Sequence, residues 1–498
     1  MNDRSLKLAG NALIWKSIQM VGVRLIFLLR LVILARLLSP DDFGLMAIAV
    51  TAIGFMLSLT DFGLIPALIQ GEEVNERQYN VAWTVQLVRS SLVSLVVFAA
   101  APLIAATFND PRSADIIRVL ALRPVLDGLA SIKVAELNRE MQFRSLAILG
   151  FSQALVNTVL AIVLAPTYGV WALVAGTLAG SLVYLVISYI VAPHWPRFAI
   201  EKGAAEPLLQ FGRWIFLTSL VVMAGSYLLR VSIARQLGTA DLGLYYLATQ
   251  IAFLPTEVAN EVIEPVAFTL FARLQSDLVK VSLAFRSVLS GMAALLFPAC
   301  VLIITLAPAL VHDVLGPQWA GTVPIIRILT LATMIDLFGE VTAPLFKGLG
   351  EPRRVTIVEA AQSLVLVAFI LVFAGSFGLI GAAAAWLPAV LVARLISFAF
   401  VRQLLERPFA GLWSPALAII LAAAAGMLAA FSIDQVTQGL IGLILAAGTG
   451  VVAVGAVLWT LDKHFDLGFI RSLLLFFPQI SALPIFAQFN KETLNGVG

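Results

Sequence analysis

Long apolar segments alternate with short polar breaks along almost the whole chain. A helix needs about 20 mostly apolar residues to span the hydrocarbon core of a bilayer, so the pattern predicts membrane-spanning helices joined by short loops. Turn residues and charges divide the chain into fourteen candidate segments: 12–38, 43–70, 80–108, 114–135, 145–166, 170–193, 208–237, 242–270, 282–310, 320–347, 354–375, 378–402, 413–432 and 438–461. The fourth segment is the weakest, because Arg118, Arg123, Asp127 and Lys133 interrupt it.

A repeated string indicates that the chain consists of two similar halves. The residues ARLLSPDDFGL at 35–45 return as ARQLGTADLGL at 234–244, with six identical positions at an offset of 199 residues. Pro66 and Pro265 fall at the same offset. Internal repeats of this kind occur in secondary transporters, where they flank one central site. We therefore predict two similar helical bundles that face each other, joined by a linker in the middle of the chain.

The composition predicts that most of this chain lies within a lipid bilayer. Of its 498 residues, 60% are hydrophobic and 12% are charged, whereas soluble proteins have about 25% charged residues. The N-terminal apolar stretch continues past Leu38 without a small-residue cleavage site, so we predict an uncleaved first helix. With the N-terminus inside, seventeen Lys and Arg residues fall in inner loops and one, Arg112, in an outer loop. This asymmetry predicts an even number of spans with both termini in the cytoplasm.

Residue types exclude several classes of site. Cys300 is the only cysteine and the three histidines are far apart in sequence, so there is no disulfide framework and no recognisable metal-ligand motif. The sequence has no phosphate-loop motif, which excludes ATP hydrolysis by that route. The net charge is only +3 and there is no basic block, so no nucleic-acid partner is expected.

The repeated string has the composition of a helix start. Ser39 is a capping residue, Pro40 suits the first helical turn, and the two aspartates after it lie at the positive end of the helix dipole. The interpretation is that each copy fixes a tight extracellular helical hairpin; direct contact with substrate is the alternative. The residues assigned to this structural role are Arg36, Ser39, Pro40, Asp41, Asp42 and Gly44 in the first copy and Arg235, Asp241 and Gly243 in the second.

The string ARLLSPDDFGL, the residues LTDFGL at 59–64 and the fourteen-segment pattern resemble one known group. This is the polysaccharide transporter branch of the multidrug/oligosaccharidyl-lipid/polysaccharide exporter superfamily, to which Wzx-type flippases belong. The resemblance extends over essentially the whole chain. It implies two pseudo-symmetric six-helix lobes plus two C-terminal helices. The expected division is an N-lobe at 1–195, a cytoplasmic linker at 196–207, a C-lobe at 208–405, two further helices at 406–461 and a cytoplasmic amphipathic tail at 462–498.

Positive charges inside the membrane are candidates for substrate binding. Arg24 and Arg30 lie in the middle of the first segment, within an arc of about 120° that also includes Lys16. The arginine fork binds phosphate oxygens bidentately and keeps its charge. Ion pairing with acidic residues such as Asp127 is the alternative. Other basic residues, among them Arg394, lie near segment ends and are interpreted as reaching the interface. The predicted pyrophosphate- and sugar-binding residues are Arg24, Arg30, Arg89, Arg118, Arg123 and Arg327.

Acidic residues inside the membrane form a second candidate set. Three glutamates on the eighth segment have the spacing i, i+4, i+7, and an aspartate and a glutamate on the tenth have the spacing i, i+4. Such groups could carry a coupling proton, bind Na⁺, or form salt bridges with arginines; all three alternatives stay open. The candidates for ion coupling or gating are Asp61, Glu257, Glu261, Glu264, Asp336 and Glu340.

The resemblance implies a function and its partners. We expect a non-enzymatic flippase of the bacterial cytoplasmic membrane that moves undecaprenyl-pyrophosphate-linked O-antigen or exopolysaccharide units from the inner to the outer leaflet by alternating access. No cofactor is expected; a proton, Na⁺ or the membrane potential would drive the cycle. Expected partners are the lipid-linked oligosaccharide, membrane lipids and a polysaccharide polymerase or export machinery, with the chain itself a monomer.

Two other functions remain as alternatives. A MATE-like antiporter of small drugs would have a more acidic and aromatic cavity with fewer arginines. A membrane-embedded polysaccharide polymerase or ligase would present catalytic groups on an extended outer loop, and the predicted outer loops here are a few residues each. The pair His312–Asp313 has no third catalytic partner in sequence and is interpreted as structural.

Overall fold

The computed structural model describes residues 3–60, 76–199, 206–437, 439–465 and 467–469. Across these residues the chain is almost entirely helical, and twelve helices are long and apolar enough to cross a membrane. The all-α membrane fold class is thereby confirmed. The total of fourteen spans and the cytoplasmic position of both termini stay predictions.

The chain divides into two compact units, Met1–Gly243 and Leu244–Gly498. The helices of the first unit are α1 (Asp3–Leu37), α2 (Pro40–Ser58), α3 (Glu76–Thr107), α4 (Ser113–Leu120), α5 (Leu122–Leu129), α6 (Val134–Arg139), α7 (Phe143–Tyr168), α8 (Val170–Val191) and α9 (Glu206–Leu237), followed by the start of α10 (Thr239–Ala252). The division predicted from the sequence, with a linker at 196–207, stays a prediction.

The second unit contains the rest of α10 and the helices that follow it. They are α11 (Leu254–Val258), a π-turn (Ala259–Ile263), α12 (Glu264–Leu274), α13 (Leu278–Ala309), a second π-turn (Leu310–Leu315), a 3₁₀ turn (Pro317–Trp319), α14 (Thr322–Gly348), α15 (Pro352–Ala384), α16 (Trp386–Leu404), α17 (Trp413–Val436) and α18 (Gly439–Phe465). Gly378 has a positive φ of 60° inside α15 and marks a kink there.

Two predicted segments differ from the continuous helices expected. The fourth, 114–135, consists of α4, α5 and the start of α6. Proline lacks the backbone N–H and its ring clashes with the preceding turn, so Pro124 at the start of α5 accounts for the end of α4 at Leu120. The eighth, 242–270, is interrupted before Pro255 and again at the π-turn before Pro265.

Small residues bring neighbouring helices together within each unit. Gly176 and Gly180 on α8 lie against the backbone of Asn157 and Gln153 on α7. In the second unit, Gly426 on α17 lies against Gly450 on α18. Close approach at small residues is the usual basis of helix association in lipid, where burial of apolar surface provides no driving force.

Candidate functional site

The first copy of the repeated string forms a capped helix start. The backbone N–H of Asp42 donates to Ser39 Oγ at 3.2 Å, and the backbone N–H of Ser39 donates to Asp42 Oδ2 at 3.0 Å. The other carboxylate oxygen, Asp42 Oδ1, accepts from the backbone N–H of Val170 at 2.9 Å. Asp42 therefore joins the N-terminal ends of α2 and α8, which are both short of hydrogen-bond acceptors.

The two copies contact each other reciprocally. Gly44 lies against the backbone carbonyl of Thr239, and Gly243 lies against the backbone carbonyl of Pro40. Pro40 and Thr239 are equivalent at the offset of 199 residues, as are the two glycines. A Cβ atom at either glycine would overlap the facing carbonyl oxygen. The repeated strings are thus two halves of one contact with approximate twofold symmetry, and glycine is required on both sides.

An ion network surrounds this contact. Arg112 binds Asp41 through two bonds, Nη1 to Oδ2 at 2.6 Å and Nη2 to Oδ1 at 3.0 Å. The same guanidinium binds Asp110, with 2.7 Å between Nη2 and Oδ2. Asp110 Oδ2 also accepts from Thr239 Oγ1 at 2.6 Å. The network links α2, the α3–α4 loop and the start of α10.

The environment of Asp110 favours its charged form. Burial raises the pKa of this carboxyl, but the hydrogen bonds from Arg112 and Thr239 outweigh burial, and the pKa lies below its ordinary value. The sequence assigned Arg36 and Arg235 to the repeated string and did not indicate that Asp110, Arg112 and Thr239 join it. The available signal was that Arg112 is the one basic residue in the predicted outer loops.

The predicted phosphate-binding arginines lie in both units. Arg24 and Arg30 are half-buried in the middle of α1. Arg89 Nη1 donates to the carbonyl of Thr60 at 3.1 Å.

The other three predicted arginines have different surroundings. Arg118 pairs with Asp115 at 2.8 Å within α4, and Arg123 pairs with Asp127 at 3.4 Å within α5. Arg327 lies in the second unit, is exposed, and donates from Nε to the carbonyl of Ile304 at 3.2 Å. A substrate role for the six arginines stays a prediction.

One further intramembrane arginine escaped the sequence analysis. Arg230, within the span Phe216–Leu237, donates from Nη1 to the buried Thr51 Oγ1 at 2.7 Å. Charge inside an apolar segment was the signal that could have identified it.

Arg394 was interpreted as reaching the membrane interface, and this interpretation is wrong. Its side chain is only 10% exposed, and Nη2 lies 3.1 Å from Gln362 Oε1 and 3.4 Å from Asp336 Oδ1. Gly339 makes room for the guanidinium, since a Cβ there would overlap it. Position near a segment end was a poor guide because helices α14 and α15 pack against this part of α16.

Three carboxylates surround the single guanidinium of Arg394 in this part of the second unit. Asp336, Glu340 and Glu359 all interact electrostatically with Arg394. Glu359 and Arg394 line a small cavity together with Ser397. Ser397 is fully buried, and its hydroxyl makes no hydrogen bond to any residue that the structure describes. We call Asp336, Glu340, Glu359, Gln362, Arg394 and Ser397 the buried ion cluster.

The glutamates of the eighth segment do not lie on one regular helix. The π-turn Ala259–Ile263 falls between Glu257 and Glu264 and changes the rotation per residue, so the spacing expected for an α-helix does not apply. Glu264 Oε1 pairs with Lys347 Nζ at 2.7 Å, whereas Glu261 is exposed. Asp61 lies outside the described residues. A coupling role for these residues stays a prediction.

A protein-family comparison places most of the chain in one family. The family model described as "Polysaccharide biosynthesis protein" matches residues 33–324. The lipopolysaccharide biosynthesis protein WzxC of Escherichia coli (strain K12) is 25% identical over 331 residues, which are 65% of this chain and 67% of WzxC. The succinoglycan biosynthesis transport protein ExoT of Rhizobium meliloti (strain 1021) is 29% identical over 64% of this chain and 65% of ExoT.

Solved structures of two kinds share the fold. The lipid II flippase MurJ in an inward closed conformation has a TM-score of 0.73 at 16% identity, covering 92% of this chain and 100% of that one. An inward-facing MATE multidrug transporter has a TM-score of 0.61 at 18% identity, covering 79% of this chain and 97% of that one. Because the likeness includes both a lipid flippase and a drug transporter, the fold alone does not identify a substrate.

Proposed function

Because the chain belongs to the polysaccharide biosynthesis protein family, we propose that it moves undecaprenyl-pyrophosphate-linked oligosaccharides from the inner to the outer leaflet by alternating access. The chain is a multi-pass protein of the bacterial inner membrane, with twelve apolar helices among its described residues. WzxC is a lipopolysaccharide biosynthesis protein, and ExoT is a succinoglycan biosynthesis transport protein. Both names connect the family to the production of polysaccharides, and the second also to transport.

The observation that carries the mechanism is the reciprocal contact between the two copies of the repeated string. It joins Gly44 to Thr239 and Gly243 to Pro40 at the predicted outer side, and Arg112 and Asp110 reinforce it. A contact of this kind would close the outer side of a transporter in one of the two states of alternating access. Its few close backbone contacts and its ion network suit a joint that opens and re-forms during each cycle.

The substrate would bind through its charged head group. Arg24 and Arg30 are half-buried on α1 within the candidate span Ile18–Leu37, where a charge is costly unless it faces a partner or a wet cavity. We propose that these two guanidiniums bind the pyrophosphate and that the sugars occupy polar surface nearby, while the polyprenyl chain stays in lipid. The identity of the sugars would depend on the shape of the cavity.

Coupling is proposed to occur at the buried ion cluster. No group of three or more His, Cys, Asp or Glu side chains in the described part of the chain has an arrangement that suits a metal ion. One proton taken up by Asp336, Glu340 or Glu359 would improve the match between the carboxylates and the single guanidinium of Arg394.

A MATE-like drug antiporter is the second candidate, supported by the shared fold. Mid-membrane arginines favour an anionic lipid head group over a cationic drug. A polymerase or ligase is less well supported, because the described outer connections, such as that between α3 and α4, are too short to present catalytic groups. We propose that the protein is not an enzyme and works as a monomer alongside a polysaccharide polymerase.

Deletion of the protein in its host tests this proposal. Lipid-linked repeat units should accumulate in the inner leaflet, where an impermeant glycosidase added from outside does not reach them. Restoring the wild-type chain should return export to its original level. Accumulation of unpolymerised units in the outer leaflet would contradict flipping and indicate a polymerase or ligase.

A further inference from the structure

A cationic cleft lies at the end of α16 in the second unit, away from the sites already described. It has a volume of about 530 Å³ and is lined by Phe398 and Arg402 on α16 and by residues 405–410 of the loop that follows. The end of α16 is on the predicted inner side of the membrane. The cleft therefore lies where head groups of the inner leaflet would meet the protein.

The loop that forms the cleft is held in place by α13. Ser282 Oγ donates to the carbonyl of Glu406 at 3.0 Å, and Arg286 Nη1 donates to the carbonyl of Ala410 at 3.2 Å. Arg407 has a positive φ of 46°, which is uncommon for a residue other than glycine and persists where the surroundings enforce it. The cleft is thus formed before any ligand binds.

The chemistry of the cleft suits an anion attached to an apolar body. Two guanidiniums, Arg402 and Arg407, and one carboxylate, Glu406, line the cleft, and Arg286 adds a third positive charge beside Ala410. The guanidinium of Arg402 lies 5.7 Å from the centroid of the Phe398 ring, which stacks on Phe409 at 4.7 Å. The aromatic stack supports Arg402 and leaves its outward N–H groups available to phosphate oxygens.

An apolar stripe leads along α16 into the cleft. Leu391, Leu395 and Phe398 follow one another at the spacing i, i+4, i+7 and are 52%, 61% and 40% exposed, and Arg402 continues the same face. The stripe could hold one acyl chain of a lipid whose head group reaches the guanidiniums. A free phosphate would use the charges and leave the stripe unoccupied.

We propose that this cleft binds an anionic phospholipid of the inner leaflet, with its phosphate at Arg402 and Arg407 and an acyl chain along Leu391 and Leu395. The site is independent of the proposed transport path, so its failure would leave that proposal standing. Basic pockets at the ends of membrane helices are known to favour anionic head groups.

Titration with phosphatidylglycerol tests the site. The purified chain in phosphatidylcholine bilayer discs is titrated with labelled phosphatidylglycerol, and bound lipid is counted by native mass spectrometry. The double variant Arg402→Gln, Arg407→Asn should bind about tenfold more weakly; asparagine tolerates the positive φ of residue 407. The matched control is Arg273→Gln, Lys280→Gln, which removes two exposed charges on the same predicted side, outside the cleft; its binding should stay within about twofold.

A second variant keeps the test decisive if the double variant folds poorly. Glu406→Gln removes the one carboxylate of the cleft and should tighten phosphatidylglycerol binding a few-fold. Equal weakening by both double variants would mean that general surface charge attracts the lipid, and would overturn the proposal. Unchanged binding in the cleft variants, or displacement of the lipid by millimolar glycerol phosphate, would overturn it as well.

Discussion

Gly44 lies against the backbone carbonyl of Thr239, 195 residues further along the chain, and leaves no room for a side chain. Its equivalent, Gly243, contacts the residue equivalent to Thr239 in the same way. The repeated string therefore has a physical function that neither copy has alone. Each copy begins a helix and also supplies the carbonyl that the other copy's glycine contacts.

Replacement of Gly44 by alanine should weaken this contact, because the new Cβ overlaps the Thr239 carbonyl and the backbones must separate. We expect the contact to lose about 1–3 kcal/mol and transport to fall at matched expression. A disulfide or crosslinker between cysteines placed near residues 40 and 239 reports the closed contact. Gly54→Ala is the matched control on the same helix, because a Cβ there meets nothing within 4 Å. Equal effects of the two variants would show that the contact is unimportant.

The ion network predicts a dependence of the same contact on pH. The folded pKa of Asp110 is lowered, so its stabilising contribution is complete above the ordinary carboxyl pKa of about 4 and is lost as pH falls through the lower folded value. The distance between spin labels placed near residues 40 and 239, which does not depend on thiol reactivity, should stay constant from pH 8 to pH 5 and increase only in stronger acid. Asp110→Asn should remove that increase. An increase already present between pH 7 and pH 5 would point to another titrating group.

The packing of the buried ion cluster should be sensitive to any side chain added beside the guanidinium of Arg394. Gly339→Ala places a Cβ on the guanidinium of Arg394 and should separate it from Asp336 and Gln362, leaving buried charges without their partner. Removing one partner of a buried pair typically costs about 3–5 kcal/mol; here the guanidinium is displaced and not removed, so we expect a smaller fall in thermal stability. Gly448→Ala in α18 has open space at its Cβ and serves as the control. If both variants unfold at the same temperature, Arg394 is not held as the structure indicates.

The proposed pyrophosphate contact concerns Arg24 and Arg30. Single replacements by Gln should reduce export strongly at matched expression, since a neutral amide lacks the charge that the phosphates require. Arg273→Gln, an exposed residue at the end of α12, should export normally. Full activity of both Gln variants would eliminate the phosphate-binding role and leave the fold and the outer contact unaffected.

The sequence predicts contacts between residues that are close in the chain, but it does not predict contacts between residues that are far apart. The cap at Ser39 depends on residues three positions apart, so the sequence predicts it directly. The pairing of Arg112 with Asp41 joins residues 71 positions apart, and nothing in either neighbourhood indicates it. Periodicity also assumed regular helices, and the π-turn at Ala259–Ile263 broke that assumption for the glutamates.

The sequence also could not predict how deeply a charged side chain is buried between neighbouring helices. Arg394 lies eight residues from the end of its predicted segment, 378–402, close enough to suggest contact with the interface. Its actual environment depends on Gly339 of α14 and Gln362 of α15, which only packing brings together. Apolar segments identify which residues are in the membrane, whereas the direction in which each charge points depends on the neighbouring helices.

Flipping by the purified chain tests the central claim most directly. Proteoliposomes are loaded on both leaflets with a fluorescent polyprenyl-pyrophosphate-linked oligosaccharide, and an impermeant glycosidase is added outside. Wild-type protein should expose the inner-leaflet pool, so that digestion proceeds well beyond the half reached in protein-free vesicles, and Arg24→Gln should slow it. Digestion that stops at the same half with wild-type protein, under every ion gradient applied, would contradict the account.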